Sequence, residues 1–168
     1  MKPCKREWIG MVKALIEEYG SGLERVREAI RALSEEEMHY KSGPNKWSIH
    51  EIIVHLADAE LVGVHRMKRV LAENNPMLTA YDQDAWATSL GYSDQDAEYS
   101  LKLFGLMREM MLPVLQKVEG ADWQRCGIHE EAGPLTLVQL LERYVNHVSD
   151  HLEQIQRVRA AYREQTVR

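Results

Sequence analysis

His147 and His151 stand four residues apart near the carboxyl end of the chain. On an α-helix, residues at positions i and i+4 lie on one face, roughly 5–6 Å apart at Cβ, so both imidazoles can reach one metal ion. Zinc proteases use the same histidine spacing, but they carry a glutamate directly after the first histidine. Val148 occupies that position here, so the pair indicates metal binding without the protease mechanism.

The face of the helix on which this pair lies is apolar. Burying an imidazole costs a few kcal/mol unless its nitrogens find partners. A metal would satisfy one nitrogen of each ring, and carboxylates or backbone carbonyls could hold the other. The spacing alone leaves a second interpretation open, in which two core histidines hydrogen-bond to neighbouring groups. The residues that share the stripe with His147 and His151 are Tyr144, Val148, Ile155 and Val158.

His55 is the natural third ligand, because it follows the start of another predicted helix by less than two turns. It lies beside Ile52, Ala59 and Val62, at the margin of that helix's apolar stripe. This position suits a helix that contacts two neighbours in a bundle. We therefore predict that His55, His147 and His151 share one metal ion.

The four remaining histidines are not expected to bind this metal. His50 and His65 fall on the polar side of the same helix, so we predict that they are solvated. His39 and His129 lie in or near connections between helices. His129 could flank the metal site, but surface exposure is the preferred interpretation.

Four long segments with helical periodicity must position these histidines, and no segment shows sustained strand-like alternation. We predict one all-α domain over residues 1–168, a four-helix bundle whose long connections, 74–92 and 119–135, act as crossovers. The predicted helices cover residues 5–33, 49–73, 94–118 and 136–163, with shorter helices from residue 34 and over residues 82–89.

Local signals mark the ends of these helices. Ser48 with Glu51, and Thr136 with Gln139, have the spacing of a capping box, in which side chains satisfy the free N–H groups of the first helical turn. Glycine weakens a helix interior by about 1 kcal/mol relative to alanine. The Gly-Ser-Gly patch at residues 20–22 is therefore predicted to bend or split the first helix.

Composition excludes several classes of partner. The chain carries a formal net charge of −5 and no conspicuous cluster of lysine and arginine, so no nucleic-acid partner is expected. Its apolar stretches are too short to span a membrane, and the first residues lack the pattern of a signal peptide, so we expect a cytoplasmic protein.

Cys4 and Cys126 are interpreted as unrelated reduced thiols. A role for Cys126 as nucleophile or ligand would need a nearby base, which the sequence does not indicate.

Two separated motifs resemble the DinB-like family of metal-binding four-helix proteins. The first is the segment from Trp47 to Glu60, a tryptophan–serine start followed by a helix that carries His55. The second runs from the Gly-Pro-Leu-Thr-Leu segment at 133–137 into residues 147–155, which hold the histidine pair. The resemblance covers nearly the whole chain in layout. It implies the same three histidine ligands, and its members include thiol-dependent transferases and isomerases, metal-dependent hydrolases and many proteins without a known reaction.

Three histidine ligands leave at least one coordination position open, which is the arrangement of catalytic sites. Imidazole ligation favours one divalent transition metal, zinc or nickel first, with iron, copper or manganese as further candidates. We therefore expect an enzyme, either a hydrolase that uses water or a transferase that uses a low-molecular-weight thiol, acting on a small molecule. Glu60 and Asp150 are weak candidates for proton transfer or ligand support, and surface carboxylates are the alternative interpretation.

Three aromatic residues, one alternative function and an oligomeric state complete the prediction. Trp47, Tyr81 and Trp86 could line the mouth of a pocket, although a core or helix-capping role is preferred for Trp47. The alternative to an enzyme is a non-catalytic, stress-related binding or structural module whose metal braces the bundle. A homodimer that packs the first or fourth helix across a two-fold axis is a further expectation.

Overall fold

The structure, a computed structural model, describes residues 5–166. The prediction of a free thiol at Cys4 falls outside the described residues. In chain order the helices are α1 (Lys5–Ile30), α2 (Glu35–His39), α3 (Ile49–Ala72), α4 (Gln83–Ser89), α5 (Ala97–Leu115) and α6 (Leu137–Thr166).

Capping interactions start both helices that carry the three histidines. At α3, Ser48 Oγ accepts the Glu51 N–H at 3.2 Å, and the Glu51 carboxylate accepts the Ser48 N–H at 2.8 Å. At α6, Thr136 and Gln139 make the same reciprocal pair, at 3.3 and 2.9 Å. Both predicted capping boxes are confirmed, and they set the register in which His55, His147 and His151 face inward.

The four long helices α1, α3, α5 and α6 form the predicted bundle. Helix α3 packs against α5 and α6, and α1 packs against the same two helices from the other side. Two large clusters of buried apolar side chains fill the space between them, one around Met67, Met111 and Leu141 and the other around Ile52, Phe104 and Ile155. Among residues 5–166, none of the helices is long and apolar enough to cross a membrane.

Helix α1 continues without interruption through the Gly-Ser-Gly patch, so the predicted split is wrong. The reason is packing across the bundle. A Cβ atom at Gly22 would lie 2.2 Å from a guanidinium nitrogen of Arg108, and one at Gly20 would lie 3.2 Å from Leu112. The two glycines let α1 approach α5 closely, and the tertiary contacts outweigh the weak helix propensity of glycine.

A small three-stranded sheet also departs from the prediction. Its strands are β1 (Met77–Leu78), β2 (Cys126–His129) and β3 (Gly133–Thr136), and β2 pairs in parallel with β1 and antiparallel with β3. Strands of two to four residues are too short to show an alternating pattern, and the pairing of Met77 with Ile128 is remote in sequence. The sheet joins the two long connections and holds them against the end of the bundle near α3 and α6.

Candidate metal centre

Three imidazole rings from two helices converge on one point. His55 lies in the second turn of α3, and His147 and His151 lie one turn apart in the middle of α6. The Nε2 atom of His147 is 3.1 Å from His55 Nε2 and 3.0 Å from His151 Nε2. All three ligand atoms lie within 4.8 Å of one another. The expected convergence of the three side chains is therefore observed.

The three facing nitrogens lack enough protons to satisfy one another. His151 donates its Nδ1 proton to Gln154 Oε1 at 2.9 Å, so its Nε2 carries a lone pair in the neutral ring. His147 Nε2 can hold at most one proton for its two short contacts. His55 Nδ1 is buried and has no hydrogen-bond partner among the described residues. A cation between the nitrogens would satisfy all three lone pairs together.

Burial keeps these rings neutral. Burial, together with the neighbouring histidines, lowers the pKa of His55 to about 3 and the pKa of His147 to about 2. Burial also lowers the pKa of His151, against the opposing effects of Gln154 and Asp150. Since a metal binds the neutral imidazole, the three rings are in the ligand form at neutral pH.

The donor set fits a divalent transition metal. Zinc–nitrogen bonds of about 2.0–2.1 Å in a tetrahedral site place ligand nitrogens about 3.3 Å apart. The two contacts of His147, at 3.0 and 3.1 Å, are close to that spacing. Within residues 5–166, the group has three histidine members and no cysteine or carboxylate as a fourth. At least one coordination position would therefore remain open to a small molecule.

Trp47 covers one side of the cluster. Its indole ring lies 4.6 Å from the His55 ring and 6.3 Å from the His151 ring, centroid to centroid, and is nearly parallel to the latter. Tyr92 packs on the far side of Trp47 and donates its hydroxyl to Asp58 at 2.6 Å. Trp47 thus has the site-lining position that the sequence suggested, in addition to its place beside the bundle core.

The two carboxylates predicted as helpers lie in very different surroundings. Glu60 is only 1 % exposed, so the surface interpretation is wrong for it. Its carboxylate accepts hydrogen bonds from the Tyr19 hydroxyl and from Arg108 Nε. Asp150 is exposed on α6 and acts on His151 through its charge. A catalytic role for either carboxylate stays a prediction.

Two histidines predicted to be solvated or exposed are buried instead. His50 is 9 % exposed, and its Nε2 lies 2.8 Å from the Gln95 carbonyl, because the segment between α4 and α5 covers this side of α3. His129 is 6 % exposed because strand pairing draws it against the bundle. His39 and His65 are exposed, as predicted for His65. Only His129 of these four lies beside the metal site.

A cavity of about 220 Å³ opens next to the cluster, and His147 forms part of its wall. Other polar groups on the wall include Arg66, Tyr81, His129 and Arg143. The sequence points to Tyr81 and His129 but not to Arg66 and Arg143. Their spacing was a usable signal, since Arg143 precedes His147 by one helical turn and Arg66 follows His55 by three.

Known proteins share both the sequence pattern and the fold. The chain is 27% identical over 132 residues to "Putative metal-dependent hydrolase BH0277" of Halalkalibacterium halodurans, an alignment that covers 79% of this chain and 77% of that protein. It is 26% identical over 150 residues to "Putative metal-dependent hydrolase BLi00869/BLi00870/BL03027" of Bacillus licheniformis, covering 89% and 81%.

The fold is also found in a solved structure. YfiT from Bacillus subtilis, described as a probable metal-dependent hydrolase with an unusual four-helix bundle topology, superimposes with a TM-score of 0.83. The match covers 94% of this chain and 91% of YfiT at 21% sequence identity. Residues 19–155, which include all three converging histidines, match the sequence model of the DinB superfamily. The chain therefore belongs to the DinB superfamily.

Proposed function

We propose that the protein is a metal-dependent hydrolase in which His55, His147 and His151 hold one divalent transition metal. The observation that carries this proposal is the convergence of three neutral imidazoles, one buried and two half-buried, whose Nε2 atoms have no other hydrogen-bond partner among residues 5–166. The names of the relatives, metal-dependent hydrolases, support the same conclusion. The substrate is a small molecule, since His147 lines a cavity of about 220 Å³.

A divalent metal bound here would supply Lewis acidity, which lowers the pKa of water from 15.7 to about 7 and polarises a carbonyl. The protein's own groups prepare the site. Gln154 holds the His151 ring by its Nδ1 proton, which keeps the Nε2 lone pair pointed at the centre. Trp47 excludes water from one side of the cluster. On the cavity side, His129 and Tyr81 offer N–H and O–H groups to a substrate.

The alternative of a structural metal that braces the bundle has less support. A structural site is closed by four protein ligands, whereas a catalytic site keeps a position open. The described residues bring three ligands together, and one of them, His147, borders a cavity. Both features favour a reaction at the metal.

Several finer predictions accompany this proposal. Zinc or nickel is the expected metal because imidazole ligands suit both. A low-molecular-weight thiol could approach the open position in place of water, which makes thiol transfer the second reaction to test. The cytoplasmic location and the homodimer stay predictions from the sequence.

Metal content tests the ligand assignment. Untagged protein should carry about one zinc or nickel ion per chain, measured by mass spectrometry of the metal after exhaustive dialysis. His55→Ala, His147→Ala and His151→Ala should each lose most of it. His65→Ala is the matched control, because His65 is an exposed histidine on the same helix as His55. Full occupancy in all three variants would show that these residues are not the ligands.

Activity assays then test the reaction. Small esters and amides form one panel, and electrophiles offered with a low-molecular-weight thiol form the other. Hydrolysis that disappears on chelation and returns with zinc or nickel supports the hydrolase. Chelator-sensitive turnover confined to the thiol panel would replace hydrolysis with thiol transfer, and metal-replete protein inert in both panels would favour the bracing role.

A further inference from the structure

The cavity beside His147 is rich in hydrogen-bond donors that the fold leaves unused. Arg143 has no hydrogen bond or ion pair among the described residues, and neither does the Tyr81 hydroxyl. Burial raises the pKa of Tyr81 to about 12, so its proton stays in place as a donor. The Nδ1 atom of His129 accepts the backbone N–H groups of Glu131 and Ala132, at 3.2 and 3.3 Å. The remaining proton of that ring is therefore on Nε2, where no group among residues 5–166 accepts it.

A second arginine is built into the floor of this cavity. Arg66 is 7 % exposed and is held by the Tyr144 hydroxyl at 3.2 Å and by the Thr79 carbonyl. Its Nε atom is buried and has no partner among residues 5–166. A buried guanidinium without a carboxylate partner is costly, since buried charges in proteins are normally paired. The missing partner is a negative charge.

The balance of charge indicates what kind of anion fits. Arg66 and Arg143 bring two positive charges to the wall, and the exposed Glu131 brings one negative charge. His129 is neutral, because burial and both arginines lower its pKa. Without a bound metal, the side chains around the cavity therefore carry a net charge of about +1, which matches a monoanion better than a dianion. The cavity is also smaller than the pockets of about 300–1,000 Å³ that enclose drug-sized ligands, so it holds a small group.

We propose that this cavity binds the carboxylate of a small carboxylic acid substrate, through Arg143, Tyr81 and His129, with Arg66 as the buried counter-charge. Arginine presents a planar fork of donors that suits a carboxylate. The inference rests on the proposed function, because His147 is shared by the cavity and by the metal cluster. A carboxylate held here would lie beside His147, one of the three proposed metal ligands.

Binding of butyrate tests the proposal, with butyramide as a neutral ligand of the same shape. Chemical-shift titration of the zinc-loaded protein should show butyrate binding at least tenfold more tightly than butyramide. Arg143→Gln should weaken butyrate about tenfold and Tyr81→Phe about fivefold, with butyramide unchanged. Arg163→Gln is the matched control, because Arg163 is an exposed arginine on the same helix, outside the cavity wall. Arg143→Gln and Tyr81→Phe change exposed or half-buried side chains, so circular dichroism should show wild-type folding.

The same titration on zinc-free protein separates this inference from the proposed function. Butyrate binding that remains sensitive to Arg143→Gln without zinc supports the cavity, even if the chain proves to hold no metal. Butyrate binding that requires zinc and ignores Arg143→Gln would place the anion on the metal alone and overturn the inference. Tighter binding of inorganic phosphate than of butyrate, lost in Arg143→Gln, would overturn the assignment of a carboxylate.

Discussion

The protein contains two clusters of polar side chains inside the bundle. They differ in whether the chain itself supplies a partner for each polar atom. In the ion-pair cluster of Tyr19, Glu60 and Arg108, Glu60 accepts from both partners. Arg108 uses its two other nitrogens on the carbonyls of Tyr19 and Tyr144, at 2.9 and 2.8 Å. Its guanidinium also lies over the Tyr19 ring at 4.3 Å. Every charged atom has a partner supplied by the chain.

The histidine cluster of His55, His147 and His151 is not complete in the same sense. Its nitrogens face one another with more lone pairs than protons, and His55 Nδ1 has no partner in the described part of the chain. Buried polar groups without partners cost free energy and are rare in folded proteins. A polar cluster whose atoms are all paired within the protein holds helices together. A cluster whose nitrogens converge without enough protons indicates a ligand that the protein must bind.

Breaking the ion-pair cluster should have the largest effect. Arg108→Met leaves Glu60 buried without a cation, which costs about 3–5 kcal/mol in similar cases. We expect the free energy of unfolding, measured in urea, to fall by about that amount while the folded variant still binds one metal. The double variant Glu60→Gln with Arg108→Met should recover part of the loss. A change below about 1 kcal/mol would show that the ion pair contributes little to stability.

Binding of a metal to the histidine cluster should change the free energy of unfolding by a slightly smaller amount than loss of the ion pair. A ligand that binds only the folded state at 100 times its Kd adds about 2.7 kcal/mol to the free energy of unfolding. Zinc or nickel at that excess should raise the stability of the wild type by this amount and leave His147→Ala unchanged. Equal stabilisation of both proteins would mean that the metal binds elsewhere.

Acidification tests the same cluster without metal. Burial lowers the pKa of the fully buried His55 to about 3, below the value of about 6.5 in the unfolded chain. Between these values the unfolded state binds more protons, so stability falls as the pH falls. For His55 alone we expect a loss of about 2 kcal/mol from pH 6.5 to pH 5 in metal-free protein. His55→Phe should show a shallower pH dependence in urea unfolding, and an unchanged slope would contradict the burial of a neutral ring.

The smallest effect should come from Gln154, which contacts a ligand but not the metal. Removing a group that orients a histidine ligand typically costs 10–100-fold in metal affinity. Gln154 accepts a neutral hydrogen bond, so we expect Gln154→Ala to weaken zinc binding about tenfold in competition with a chromophoric chelator. Gln156→Ala is the control, because Gln156 is exposed on the same helix. Equal affinities of the two variants would remove Gln154 from the site.

Local signals in the sequence predicted most of the fold. Capping residues and apolar periodicity lie close together along the chain, so Ser48, Thr136 and the four helical stripes could be recognised without a structure. The prediction failed where contacts are remote. The pairing of Met77 with Ile128, and the space that Gly22 leaves for Arg108, depend on residues far apart in sequence.

The same division applies to the site. The helical spacing of His147 and His151, together with the motif around His55, pointed to the three residues that converge. Periodicity assigns a residue to a face but not to its neighbours, so it misplaced His50 and gave Glu60 no partner. His129 was misplaced because its strand pairing could not be recognised in a connection. Arg66 and Arg143 were missed because an arginine on a helix is usually solvated, and only the tertiary structure shows that Arg66 is buried and that both line the cavity.

By itself the sequence determined the four helices, the capped starts of α3 and α6 and the inward orientation of His147 and His151, because those follow from the pattern of one helix at a time. The tertiary structure decided which polar groups meet as hydrogen-bond or ion-pair partners and which are left without one. The distances between His55 and the α6 pair, the ion pair of Glu60, and the donors around the cavity all arise between helices and strands. The physical reason is that a buried polar atom is satisfied or left unsatisfied by its neighbours in space, which a single helix cannot specify.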